Sequence, residues 1–237
     1  MGIGWINAPI GFMRVSGDSI RKNSCACHRD RLSPSLFPAM EEYFECKGDT
    51  DMDTFLSPIE KPKGLMMKLA YYFTRRQFGK VLTPLKVHSA RLPVAFGLFY
   101  QKIGKLDKKL VLPPETALLI RQQVARLNVC LFCIDIGRLF TIKASMNQAK
   151  FDALGQCGTS PLFTDAERAA LDYVTELTRD KKVDPEIFAR MARYYSEREI
   201  CEIVWLVASE HIYNMTNIGL NIHSDMLCQI SAKSQNR

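Results

Sequence analysis

No stretch of 18 or more apolar residues occurs in this 237-residue sequence, so it offers no candidate membrane-spanning helix. Glycine and proline number 13 and 11 and are scattered, which excludes a collagenous or linker-dominated chain. Convincing strand-length alternation of apolar and polar residues is also missing, and with it the signature of a half-buried sheet. The first residues lack a charged n-region, and Asn7, Pro9 and Gly11 break their apolar stretch, so they do not read as a secretory signal. Eight unevenly spaced cysteines without such a signal argue for a reducing compartment, and a cytoplasmic location is expected. The composition that remains, 47% hydrophobic and 24% charged, is that of a globular chain with room for a sizeable core.

Charge divides the chain into three parts. Residues 1–51 carry 6 bases against 7 acids, residues 52–112 carry 12 against 3, and residues 113–237 carry 14 against 15. The net charge of +7 therefore belongs to the middle segment. Its bases are spaced out and no nucleic-acid motif accompanies them, so a solvated face or an oligomer contact is expected and nucleic acid is not. Membrane contact is not expected either. Residues 1–51 show no useful periodicity and read as a poorly structured extension, with Met52 as a candidate working start. The Cys25-Ala-Cys27-His28 spacing within them is too tight for the usual zinc pair.

From Gly64 onward the pattern is helix after helix, and the reading is all-α. Leu65 to Gly79 is an amphipathic candidate, and Pro93 to Lys105 a shorter one. Pro113-Pro114-Glu115 places proline and an acid where a helix start favours them, with Asn128 as the stop. Thr164-Asp165-Ala166-Glu167 and Ser196-Glu197-Arg198-Glu199 both fit the capping box, the second opening a long helix from about Glu197 to Leu220. Gly155 to Pro161 reads as a loop.

The stretch with chemistry in it is Asn128-Val129-Cys130-Leu131-Phe132-Cys133-Ile134-Asp135-Ile136-Gly137. Lying between two helical patterns, it puts Cys130 at or near a helix start and Cys133 one turn inside, on one face. The positive end of a helix favours thiolate over thiol, and a thiolate can attack a peroxide oxygen to become a sulfenic acid. The neighbouring thiol then condenses with it to a disulfide. Other readings of the motif stand beside this one. Half a zinc site lacks its second half, no paired ligand following at zinc spacing, and no metal is expected. A thioredoxin-type motif lacks its βαβ setting. Two buried cysteines can also be inert small hydrophobes.

From about Pro113 to Cys228 the chain resembles the carboxymuconolactone decarboxylase superfamily, specifically its alkylhydroperoxidase D-like (AhpD-like) branch. The resemblance is carried by Val124-Ala125-Arg126-Leu127-Asn128-Val129-Cys130-Leu131-Phe132-Cys133 and by Glu210-His211-Ile212-Tyr213-Asn214-Met215-Thr216-Asn217-Ile218-Gly219-Leu220. Residues 52–112 are similar to the basic N-terminal portion of some relatives. The resemblance implies an all-helical AhpD-like bundle in residues 113–237, homo-oligomers, no cofactor, and thiol-dependent reduction of small hydroperoxides. Cys133 would be the attacking cysteine, Cys130 the resolving one, and an external dithiol or protein reductant would restore both. The branch also carries a glutamate before the pair and a histidine four residues after it. Those positions are Leu118 and Gly137 here.

Glu115, Asp135 and His211 are the candidate substitutes for that proton relay. His211, Asn214, Asn217 and Asn221 recur at three- and four-residue steps as a polar stripe, expected to line a pocket over Cys133 or to face a subunit interface or structural network. Cys157, Cys201 and Cys228 have no motif partners and read as structural, and His88 and His223 are single histidines with no ligand geometry behind them. Two further functions are open: action on a small acidic or lactone-like ligand, and a redox-responsive binding protein whose disulfide changes assembly.

Overall fold

The computed structural model describes residues 53–227. The expectations for residues 1–51, for Met52 as a start and for Cys228 fall outside that range. Among the described residues there is no strand, and no helix is long and apolar enough to cross a membrane.

Helix α1, Leu65–Phe78, turns Met67, Tyr71, Thr74 and Phe78 inward at three- and four-residue steps. It ends where Gly79 adopts φ 75°, a left-handed conformation that glycine enters without a Cβ penalty. Two wide π-helical turns follow, Leu85–Ser89 and Pro93–Phe99, the second running straight into α2, Tyr100–Asp107. The sequence reads Pro93 to Lys105 as one helix. The observed change from π to α inside it alters the turn by about one residue, which apolar spacing over so short a stretch does not resolve.

Helix α3, Pro114–Leu127, is the centre of the molecule, with every residue from Leu119 to Arg126 buried. It packs against α4, Leu131–Lys143; α6, Asp165–Asp180; and α8, Glu197–Ile218. Ile120 and Val124 of α3 meet Ala170 and Val174 of α6 and Ile203 and Leu206 of α8 in one apolar cluster. The short α5, Gln148–Asp152, with a 3-10 turn at Ala153–Gln156, and α7, Pro185–Met191, complete the described helices. Both expected capping boxes form: Thr164 with Glu167 opens α6, and Ser196 with Glu199 opens α8. Each satisfies helix-start N–H groups that would otherwise lack partners, an effect typically worth about 1 kcal/mol.

Residues 53–112 are not a loose appendage. Phe78, Leu82 and Val87 share a cluster with Phe132, Ile136 and Phe140 of α4 and with Ile222 and Leu227. Charged groups fasten the same contact. Asp225 accepts from the backbone N–H of Thr83 at 2.8 Å and pairs with Lys80 at 2.8 Å. At the other end, Glu202 of α8 accepts from the N–H groups of Val111 and Leu112.

Candidate functional site

The last turn of α3 makes the site's foundation. Cys130 N–H donates to Ala125 C=O at 2.9 Å and Val129 N–H to Arg126 C=O at 3.0 Å, the paired bonds of a Schellman helix end. Asn128 is the C-cap, as the sequence suggests, and Val129 takes the left-handed position with φ 56°. The chain is thereby turned so that Cys130, in extended conformation, becomes the N-cap of α4, and Cys133 its third helical residue. The two form a disulfide with Cα atoms 5.3 Å apart, and each is only 1% exposed.

Cys133 opens onto a small cavity of about 60 Å³. Its walls are mostly apolar or aromatic: Leu82, Leu85, Tyr100, Phe132, Ile136 and Tyr213, with His88, Ser89 and Asn217 supplying side-chain polar atoms. More than half of this lining comes from residues 82–100, before the segment that carries the cysteines. Asn217 Nδ2 lies 3.4 Å from Cys133 Sγ and 4.0 Å from Cys130 Sγ, donating to sulfur. His88 sits in the first π-helical turn, its ring packed on Phe96 at 4.4 Å and edge-on to Tyr100 at 6.0 Å. Burial pushes His88 down to about 4, with the neighbouring Asn217 side chain pulling the other way. The ring is therefore neutral at pH 7. Burial also raises both phenols, Tyr100 to about 12 and Tyr213 further, so both stay protonated.

A second polar network lies behind Tyr213. Arg121 reaches Glu210 at 3.1 Å, Asp107 at 2.8 Å and the Ser209 hydroxyl at 3.0 Å. Asn214 Nδ2 donates to Glu210 at 2.7 Å, and Asn128 Nδ2 donates to Asn214 at 2.8 Å while lying 3.1 Å from His211 Nδ1. Two carboxylates share one guanidinium here, and the fully buried Glu210 is the one driven upward, to about 7.

The residues expected at the site thus separate. Cys130, Cys133 and Asn217 come together. Asn214 and His211 join the Arg121–Glu210 network, and Asn221, past the end of α8, donates to Asp53 C=O at 3.0 Å, so neither asparagine lines the cavity. Glu115 pairs with Lys150 at 2.9 Å. Asp135 points away to accept the Leu227 N–H at 3.0 Å. None of Glu115, Asp135 and His211 lines the cavity. His88, which has no spacing partner in the sequence, does. Gly137, in the relay histidine's usual place, opens room for the Gln122 side chain, whose Nε2 donates to Cys133 C=O at 3.0 Å. Among the described residues no cluster of three or more His, Cys, Asp or Glu could hold a metal.

Solved structures superpose on this architecture over most of its length. The debrominase Bmp8, seen as a cysteine-to-alanine variant in complex with 2,3,4-tribromopyrrole, matches with TM-score 0.64 and 19% identity, covering 78% of this chain and 99% of that one. A peroxidase-related protein from Silicibacter matches with TM-score 0.60 and 17% identity, over 71% of this chain and 90% of that one. A protein from Agrobacterium tumefaciens, described as a candidate antioxidant defence protein AhpD, matches with TM-score 0.55 and 20% identity, over 58% and 96%.

The fold is AhpD-like.

No protein-family model matches the chain. The AhpD-like reading of the sequence is met at the level of fold, all-helical among the described residues. By sequence, the uncharacterised protein YnjA of Escherichia coli is 28% identical over 180 residues, 75% of this chain and 98% of that protein. The uncharacterised YdfG of Bacillus subtilis is 24% identical over 118 residues, 49% of this chain and 80% of that protein. The match to YnjA is longer than residues 113–237, so it includes earlier residues as well.

Proposed function

We propose that the protein is a thiol-dependent hydroperoxide reductase. The observation that carries this reading is a Cys130–Cys133 disulfide at the start of α4, with Cys133 on the cavity wall and Cys130 behind it. Cys133 thiolate attacks the outer peroxide oxygen; the O–O bond breaks, sulfur becomes a sulfenic acid, and the alkoxide leaves with a proton from solvent. Cys130 then attacks that sulfur, releasing water and leaving the disulfide, which an external dithiol or protein reductant returns to two thiols. Neither step needs a cofactor or metal. The relay glutamate and histidine are absent from their usual places, and such groups typically contribute ~10²–10⁴-fold, so turnover is expected to be slow.

The apolar walls suit an uncharged substrate with an organic body more than a small acid. The exposed residues Val204, Ile212, Met215 and Ile218 on α8 support a homo-oligomer, and the cysteine usage supports a reducing, cytoplasmic setting.

A second reading has its own support. Aromatic rings from His88, Tyr100, Phe132 and Tyr213 surround the cavity beside Cys133, and the fold matches that of a debrominase. The same dithiol could reduce a small halogenated aromatic: two thiols become a disulfide, carbon–halogen becomes carbon–hydrogen, and halide and a proton leave.

One experiment separates them. Reduced protein receives stoichiometric cumene hydroperoxide or 2,3,4-tribromopyrrole, and the Cys130–Cys133 disulfide, residual peroxide and free bromide are measured. Disulfide with peroxide loss, abolished in Cys133→Ser, supports the first reading; bromide release supports the second. Full peroxide turnover by Cys133→Ser would rule out the first mechanism.

A further inference from the structure

The sequence offers no replacement for the missing relay pair at its usual positions, yet the sulfurs are not left without a polar partner. Asn217 Nδ2 donates toward Cys133 Sγ at 3.4 Å, from a position on α8 that is 4% exposed. The other end of its amide, Oδ1, is buried and has no further hydrogen-bonding partner among the described residues. The His88 ring is the polar group beside it: the Asn217 side chain pulls that ring toward protonation against its burial, while His88 Nδ1 lies 3.2 Å from the Ser89 hydroxyl. Burial keeps the imidazole neutral, so it carries a single N–H. With Nδ1 accepting from Ser89, that hydrogen lies on Nε2, the tautomer in which the ring can donate toward the unpartnered Asn217 Oδ1. A ring donor reaching Oδ1 would hold the amide with its N–H groups toward sulfur, the orientation observed. A buried carboxamide free to flip would present its oxygen to the thiolate half the time.

We propose that Asn217 is the donor that holds Cys133 as a thiolate in the reduced protein, and that His88 positions its amide. A neutral arm from α8 and the first π-helical turn thereby stands where the relay is missing. The inference rests on the thiol reading above and adds to it the residues that activate the sulfur. It also assigns the basic middle segment a part in the chemistry, since His88 comes from there. An amide cannot pass a proton on, so the thiol proton leaves through the cavity to solvent. The other titratable groups facing Cys133 are Cys130 and the protonated phenols Tyr100 and Tyr213. Arg121 and Glu210 lie behind Tyr213, the guanidinium 5.8 Å from that ring.

The test is alkylation of Cys133 in the reduced full chain by iodoacetamide, followed by peptide mass spectrometry from pH 5 to pH 10. A hydrogen bond to an anion is worth enough that Asn217→Leu should slow alkylation at pH 7 by about tenfold or more and move the midpoint of the profile to higher pH. His88→Phe should cost several-fold by releasing the amide, and His88→Gln, which keeps a donor, should recover most of that loss. If His88→Phe does not fold, Ser89→Ala should show a smaller shift in the same direction. An Asn217→Leu profile that superimposes on the wild type overturns the proposal, and equal losses in His88→Phe and His88→Gln overturn the positioning role. Iodoacetamide requires no peroxide. A wild type that alkylates with a lowered midpoint but ignores hydroperoxide would sink the peroxidase reading and leave this arm standing.

Discussion

Gly137 sets two physical effects against each other, and their sum has a sign that can be measured. It is an interior residue of α4, where alanine would ordinarily stabilise a helix by about 0.5–1 kcal/mol relative to glycine. A Cβ built there, however, would lie 1.8 Å from Gln122 Nε2 and 2.2 Å from its Cδ. Gln122 is 1% exposed, so its amide has no solvent to retreat into, and its Oε1 already lacks a partner among the described residues. Moving it also breaks the 3.0 Å bond to Cys133 C=O. Overpacking typically costs ~1–3 kcal/mol and a lost hydrogen bond about 1 kcal/mol, so Gly137→Ala should destabilise by about 1–3 kcal/mol net. In a Gln122→Ala background the obstruction is gone, and the same substitution should turn neutral or stabilising by up to about 1 kcal/mol. Urea unfolding of the four proteins at unchanged m-value gives the cycle. A Gly137→Ala protein as stable as the wild type, or more so, would refute the claim that Gly137 exists to admit Gln122.

Burial, outweighing the pull of Arg121, raises Glu210 in the folded protein from its ordinary 4.5 to about 7. The folded protein thus holds a proton that the unfolded chain releases between those values, so its contribution is fully present below about pH 4.5 and fades as pH rises through 7. Glu210→Gln removes that slope; stability measured at pH 5 and pH 8 should fall in the wild type relative to the variant by on the order of 2–3 kcal/mol, and parallel curves would sink the assignment. Val129 is a β-branched residue at φ 56° in the Schellman turn, so Val129→Gly should raise stability by about 0.5–1 kcal/mol, and a loss on denaturant unfolding would contradict strain there. Arg126 is 7% exposed, pushed down to about 10 by burial with Arg138 adding to it, and its Nε has no partner among the described residues. Arg126→Met should be neutral or stabilising by about 1 kcal/mol in thermal unfolding; a clear loss would show that the guanidinium is better compensated than its contacts indicate.

What could be read from the sequence is what chain-local physics decides. Thr164 and Ser196 reach N–H groups three residues away, Pro113 and Pro114 need only their own fixed φ, and Cys130 and Cys133 meet within one turn, so each of these elements was visible without tertiary information. Gly137 was visible only as a loss. A glycine in place of a histidine reads as a missing relay, and nothing local reveals that the vacated volume is filled by Gln122 from the neighbouring helix. His88 was beyond reach for a related reason. It is brought to the sulfurs by Leu82 and Val87 packing on Phe132 and Ile136, a contact between segments whose spacing carries no period. A lone histidine in a basic stretch offers no second residue against which to test it.

The polar stripe on α8 was half legible, and helix geometry explains which half. Residues three apart on an α-helix are displaced by about 60° around the axis, so His211 and Asn217, two such steps apart, face directions about 120° from each other. Spacing therefore groups residues that packing must divide. His211 and Asn214 turn toward Asn128, and Asn214 also meets Glu210; one more step brings Asn217 round to the sulfurs and His88. Asn221 lies beyond Ile218, where the helix has ended and φ is 54°, so the periodicity no longer applies to it. A stripe of amides thus marks a polar interior, but the member that meets the sulfurs is chosen by where the neighbouring segment places its own polar group. Here that group is His88, one of the residues before α3 that line the same cavity as Cys133.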